Sequence, residues 1–425
     1  MEKQSSLTLF SHLHPIHPLE ADHHEQAEML LGLGAAAPVQ LPYGERAWAV
    51  TDHALATRLF GNPLVAGHAD ALRSGGLGGE SPGVWNPQSH GRAIGSVSAH
   101  REDECRRLHR LAASGLSAER LAPFIPDIER LAHNLLADIA PHPRETVDLR
   151  ARFAVRLPCL VTGMLLGVTA GMRDLFHGLT TGQPHGTGSG RAALNRRTVH
   201  QLLGDLIEVK RAQPGKDLTT QLIEAHDVET GTRLSQPELL SAMKQLLDAS
   251  KITANILDHG IVNLLRHPDQ LRLVRDHTAT WNDVVEETLR HQPPVVYTAV
   301  GYVVDHITDE PTGEHFLRGE LITANLAAIG RDPDIHRLAS NFDITRPTRS
   351  QHLSLGYGHS RFLGADLART VARVTLRVLF ESYPELALAE PGVLHPQESY
   401  LWNAHRSLPS ILGTGPAGQA SRSPR

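Results

Sequence analysis

The chain has 425 residues, with 41 basic against 46 acidic side chains and 40% hydrophobic residues, enough to bury a sizeable core and to exclude a disordered tail or a small stapled domain. A formal net charge of -5 leaves no basic footprint for nucleic acid, and no apolar stretch reaches the roughly 18 residues of a membrane span. Two cysteines, Cys105 and Cys159, cannot build a disulfide framework or a four-cysteine zinc site, so a protein of a reducing, cytoplasmic compartment is expected, and MEKQSSLTLF lacks a signal-peptide pattern.

Residues 1–25 read as a flexible, His-rich leader. His12, His14, His17, His23 and His24 lie near Glu20, Asp22 and Glu25, but Pro15 and Pro18 interrupt any helix and no recognised metal-ligand spacing is present, so solvated chain is preferred over a metal site. ERAWAV alternates around Trp48 and Val50 like a strand, and a helix follows from a cap at Thr51 or Asp52. Arg73 to Gln88 and Thr180 to Arg191, rich in Gly, Ser and Pro, read as flexible connections. From Glu102 to Ile139 the period is helical, broken near Ser117.

The most regular element starts at Ser235, where Ser235, Pro237 and Glu238 write a capping box, and runs to Pro268. That predicts a helix of about 45 Å at 1.5 Å per residue, a central scaffold. A short helix ends at Pro293, a small sheet spans Tyr302 to Ile322, a strong helix ends before Pro384, and short strands follow around Leu401 and Ile411. The class is mainly α with a long central helix and a small β-sheet region: one domain over 26–413, then a disordered tail over 414–425.

Three motifs then occur in order. VVEETLRHQPPV carries Glu287 and Arg290, GRDPDIHRLASNFDITRP carries Arg346, and LGYGHSRFLGADLAR spans Leu355 to Arg369. By itself a Glu and an Arg three apart is usually a surface ion pair worth a few tenths of a kcal/mol. Together, with the RHPDQLRLV turn before them, the motifs resemble the cytochrome P450 family of haem-thiolate monooxygenases. The resemblance implies that family's fold and a buried triad of Glu287, Arg290 and Arg346.

The same resemblance implies that the cofactor positions have changed. Phe362 stands where the family carries its thiolate ligand, and Lys251 and Ile252 stand where it carries an acid-alcohol pair, with Thr253 one step beyond. Cys105 and His109 replace a propionate-binding His-Arg pair, and no arginine occurs between Arg290 and Arg318. Phe362, Ile252 and Val300 are expected to help fill the space a haem would leave.

On this resemblance the expectation is a haem-free protein with no cofactor, no metal and no catalytic residue. It would be a cytoplasmic auxiliary protein that binds and activates a cognate glycosyltransferase transferring a deoxyaminosugar to a polyketide aglycone, as the cysteine-less members of actinobacterial antibiotic pathways do. The alternative is a P450-like enzyme. It would use haem with a replacement ligand, His359 or Cys105, or cofactor-free acid-base chemistry from Glu104, Cys105 and His109.

Overall fold

The computed structural model describes residues 13–17, 22–42, 44–66, 110–112, 116–139, 145–181, 189–226 and 231–414. Its axis is the central helix Gln236–Arg266, opened by the capping box in which the backbone N–H and hydroxyl of Ser235 donate to Glu238 Oε2 at 2.7 and 2.6 Å. Almost every side chain of this helix from Glu238 to Leu264 is buried, as befits a helix enclosed by others. It packs against Ala365–Ser382, Arg156–Leu165 and Trp281–His291, and Ala365–Ser382 packs in turn on Ile125–Ile139. One continuous apolar core joins them.

The second layer is a six-stranded sheet in the order β1-β2-β3-β6-β5-β4, with β1 His14–Pro15, β2 Ala36–Gln40, β3 Arg46–Val50, β4 Val65–Ala66, β5 Tyr297–Val303 and β6 Leu321–Asn325. Strand periodicity divides its side chains between two faces. Ala37, Val39, Ala47 and Ala49 meet Ala27 and Leu30 of the helix His23–Leu31, while Ala36, Trp48 and Val50 meet Leu55, Ala56 and Leu59 of the helix His53–Phe60. No helix among the described residues is long and apolar enough to cross a membrane.

Most expected elements are present, including β3, the Asp52 cap, the central helix and the helix Ala365–Ser382. Three readings are corrected. Part of the expected leader joins the fold: β1 pairs with β2, and His23–Leu31 is capped by Asp22, which accepts from Glu25 N at 2.9 Å. The connection expected over Thr180 to Arg191 is helical at both ends, in Arg173–Thr181 and Ser189–Ala212. The strand expected around Leu401 is a single bridge between Trp402 and Val295. The Arg73 to Gln88 segment, and the tail beyond residue 414, lie outside the described residues.

Candidate functional site

The site is built where the loop before Ala365–Ser382 meets the central helix. The loop closes on itself: Phe362 N–H donates to Leu355 C=O at 2.8 Å, and Gly356 turns with φ of 80° where an added Cβ would lie 2.2 Å from Ser360 O. Only glycine tolerates both that conformation and that approach. The turn delivers Phe362 into the core, where 4% of it is exposed.

Two residues on, the loop rests directly on the central helix. A Cβ built on Gly364 would sit 2.7 Å from Ala249 Cβ and 2.8 Å from the Phe362 ring. A cysteine-ligated haem needs a loop sulfur and a flat gap between loop and helix. Here position 362 supplies a benzyl group with no lone pair, and at Gly364 the loop lies against Ala249 of the helix. Cys159 is buried on the helix Arg156–Leu165, a different element. The residues present therefore do not fit a cysteine-ligated haem. Ile252 is fully buried in the same apolar core as Phe362, whereas Val300 packs in the core on the sheet.

Lys251 is the one exposed side chain of the central helix between Glu238 and Leu264. Its helical neighbour Asp248 is already held by Lys244 at 2.6 Å. Thr253 hands its hydroxyl proton back to Ala249 C=O at 2.7 Å, so it is occupied by its own helix. Between Glu238 and Leu264 the fully exposed cation is therefore Lys251.

Behind the loop two adjacent carboxylates face opposite ways. Glu287 takes a forked bond from Arg290, Nε at 2.8 Å and Nη2 at 2.7 Å, a second from Arg346 Nε at 3.3 Å and a third from Asp343 N at 2.9 Å. Arg290 spends its remaining N–H groups on the carbonyls of Gly330, Ala339 and Asn341. Glu287 and Arg290 are fully buried and Arg346 is 5% exposed, so the expected triad is assembled and the surface-pair reading is excluded.

Glu286 turns toward the loop instead. It accepts from His352 Nε2 at 3.1 Å and from Arg369 Nε at 2.7 Å. Ser354 N–H donates to His352 Nδ1 at 3.2 Å, which leaves Nε2 as the protonated nitrogen. Burial pushes the Glu286 carboxyl up, but the bonds from His352 and Arg369 outweigh it and hold the group down at about 2. Burial lowers His352 below its ordinary value, partly opposed by Glu286. Sequence reasoning missed Glu286 and His352, although the Glu-Glu dipeptide one turn before Arg290 was a usable signal: on one helix two such carboxylates point about 100° apart and need separate partners. Cys105, His109 and Glu104 lie outside the described residues, as does the side chain of His359.

No family model matches the chain. It is 32% identical over 400 residues to 2-hydroxy-5-methyl-1-naphthoate 7-hydroxylase of Streptomyces carzinostaticus, covering 93% of this chain and 96% of the relative. It is 30% identical over 378 residues to the cytochrome P450 monooxygenase PikC of Streptomyces venezuelae, covering 88% and 87%. Among solved structures, CYP154A1 of Streptomyces coelicolor A3(2) superposes with a TM-score of 0.80 at 36% identity, over 94% of this chain and all of that one. These relatives correct one expectation. Proteins about a third identical over most of the chain are named a hydroxylase and a monooxygenase, which points to an enzyme and overturns the reading of a non-catalytic protein. In length, order of elements and buried triad alike, this chain belongs to the cytochrome P450 family.

Proposed function

We propose that the chain is an enzyme of the cytochrome P450 fold that acts on a ring-containing, largely apolar organic acid by chemistry not routed through cysteine-ligated iron. The observation that carries this reading is the closed contact of Phe362, Gly364 and Ala249, which occupies the place of ligand and macrocycle with packed carbon.

The substrate class rests on two supports. The relative of Streptomyces carzinostaticus is named for a naphthoate, a bicyclic aromatic acid. Lys251 is an exposed cation on a helix whose other side chains from Glu238 to Leu264 are almost all buried, suited to hold a carboxylate or to protonate a carbonyl in a cyclisation or dehydration. An ammonium in such a setting contributes by pairing with charge that develops on substrate oxygen, and its Coulomb effect grows as water is excluded.

The test is to purify the protein from cells supplied with haem precursor and to incubate it with aromatic and polyketide-derived acids without reductant. Expected are no stoichiometric porphyrin and a product isomeric with, or one water lighter than, its substrate, with turnover falling about 100-fold or more in Lys251→Met. Stoichiometric porphyrin, or turnover that requires oxygen and reductant, would overturn the reading.

A further inference from the structure

A second cluster lies one and a half to two turns further along the central helix and plays no part in the proposed chemistry. Asp258 is fully buried, His259 is 4% exposed, and His405 arrives on the C-terminal segment with a side chain 12% exposed. One ligand-type atom from each of the three lies within 4.8 Å of the others, and the rings of His259 and His405 are 5.0 Å apart between centroids. His405 Nδ1–H donates to Asp258 Oδ1, and His405 N–H donates to Asp258 Oδ2 at 3.2 Å. Arg150 pairs with Oδ2 and holds Asn255 Oδ1 at 3.2 Å. His259 Nε2, in contrast, is buried with no hydrogen-bond partner.

A buried imidazole nitrogen left alone is destabilising and calls for a missing partner. Two imidazoles and one carboxylate are a borderline nitrogen and oxygen donor set, which suits a zinc-type ion. With metal bonds of about 2.0 to 2.1 Å in tetrahedral array, ligand atoms stand about 3.3 Å apart. From within 4.8 Å of one another the donor atoms must close to that spacing, and a His405 that ligates through Nδ1 carries its proton on Nε2 instead.

We propose that Asp258, His259 and His405 form a site for a divalent zinc-type ion, with the fourth position open to water at the His405 edge. Arg150 takes the far oxygen of Asp258 and aims the near one, the orienting role that outer partners play around ligating carboxylates. Its positive charge also weakens the site relative to a neutral surround. A bound ion would clip the C-terminal segment to the central helix.

The test titrates chelator-treated protein with Zn2+, using Co2+ as the optical probe. Expected are one equivalent of saturable binding, Co2+ bands typical of four coordination, and a loss of affinity of about tenfold or more in His405→Ala. His405→Asn retains a donor toward Asp258 while removing the imidazole, so the same loss in that variant, with an unchanged circular dichroism spectrum, separates ligation from folding. His17→Ala, in the His-rich N-terminal segment, should leave the titration unchanged. Absence of one-equivalent binding, binding that survives both His405 variants, or binding abolished by His17→Ala would overturn the proposal.

Discussion

The Glu287 network and the Phe362 loop are near neighbours, joined through Glu286 and His352, yet they hold together by opposite means. Around Glu287 a buried carboxylate is matched bond for bond by two arginines and a backbone N–H, and the arginines are matched by carbonyls. Around Phe362 cohesion is carbon on carbon, in the apolar core it shares with Ala249 and Ile252. A satisfied ionic network tolerates no missing member, because whatever remains is left charged and dry. An apolar junction tolerates exchange of any group of similar volume. That difference separates a triad that must stay complete from a loop whose buried residue can vary.

The comparison is broken most severely by Glu287→Ala. It strands Arg290 and Arg346 without a counter-charge, and a loss of about 3 to 5 kcal/mol is expected. Thermal and urea melts would show it, and a variant as stable as the parent would remove the triad from any structural role. Phe362→Ala comes next, at about 3 kcal/mol, the low end for such truncations because a loop relaxes into part of the cavity. Phe362→Cys sharpens the contrast: with Gly364 still seated on Ala249, the thiol alone should not produce a haem absorption band after incubation with haemin. A strong band in that variant would show that the junction opens freely.

The bridge between the regions predicts a pH dependence. Glu286 titrates at about 2 in the fold against an ordinary 4.5, so its contribution is fully present above about 4.5 and is lost as pH falls toward 2. The loss is about 2 to 3 kcal/mol. His352, also lowered, takes up a proton more readily when unfolded and adds loss in the same direction below its ordinary 6.5. Urea midpoints for the parent and Glu286→Gln at pH 7 and pH 3.5 should converge in acid, and parallel midpoints would contradict the bridge. The smallest effect is expected of Arg130→Ala, whose exposed pair with Asp127 has the same three-residue spacing as Glu287 and Arg290. A change of about 0.5 kcal/mol or less should appear in the same melts.

Those two pairs show where sequence reading stops. Spacing is identical in both, and the buried one was distinguishable only because Glu287 and Arg290 stood in a run of family motifs. The resemblance also supplied Arg346, which lies far along the chain and has no local signal. Glu286, His352 and the Asp258, His259 and His405 cluster escaped, since their partners come from distant segments. Within residues 1–25 the strand His14–Pro15 escaped for a related reason: histidines and prolines look solvated by composition, but β1 needs only an available edge of β2 to pair.

What the chain settled unaided is local and periodic. The capping box at Ser235, the apolar stripe behind it and the glycines that turn the loop at Gly356 act between residues a few positions apart, so their physics is written in adjacent letters. What the tertiary structure decided is which charges are dry and which gaps are closed. Burial depends on every segment that converges on a point, and the seat of Phe362 and Gly364 against Ala249 exists only once helix and loop, more than 100 residues apart in the chain, have met.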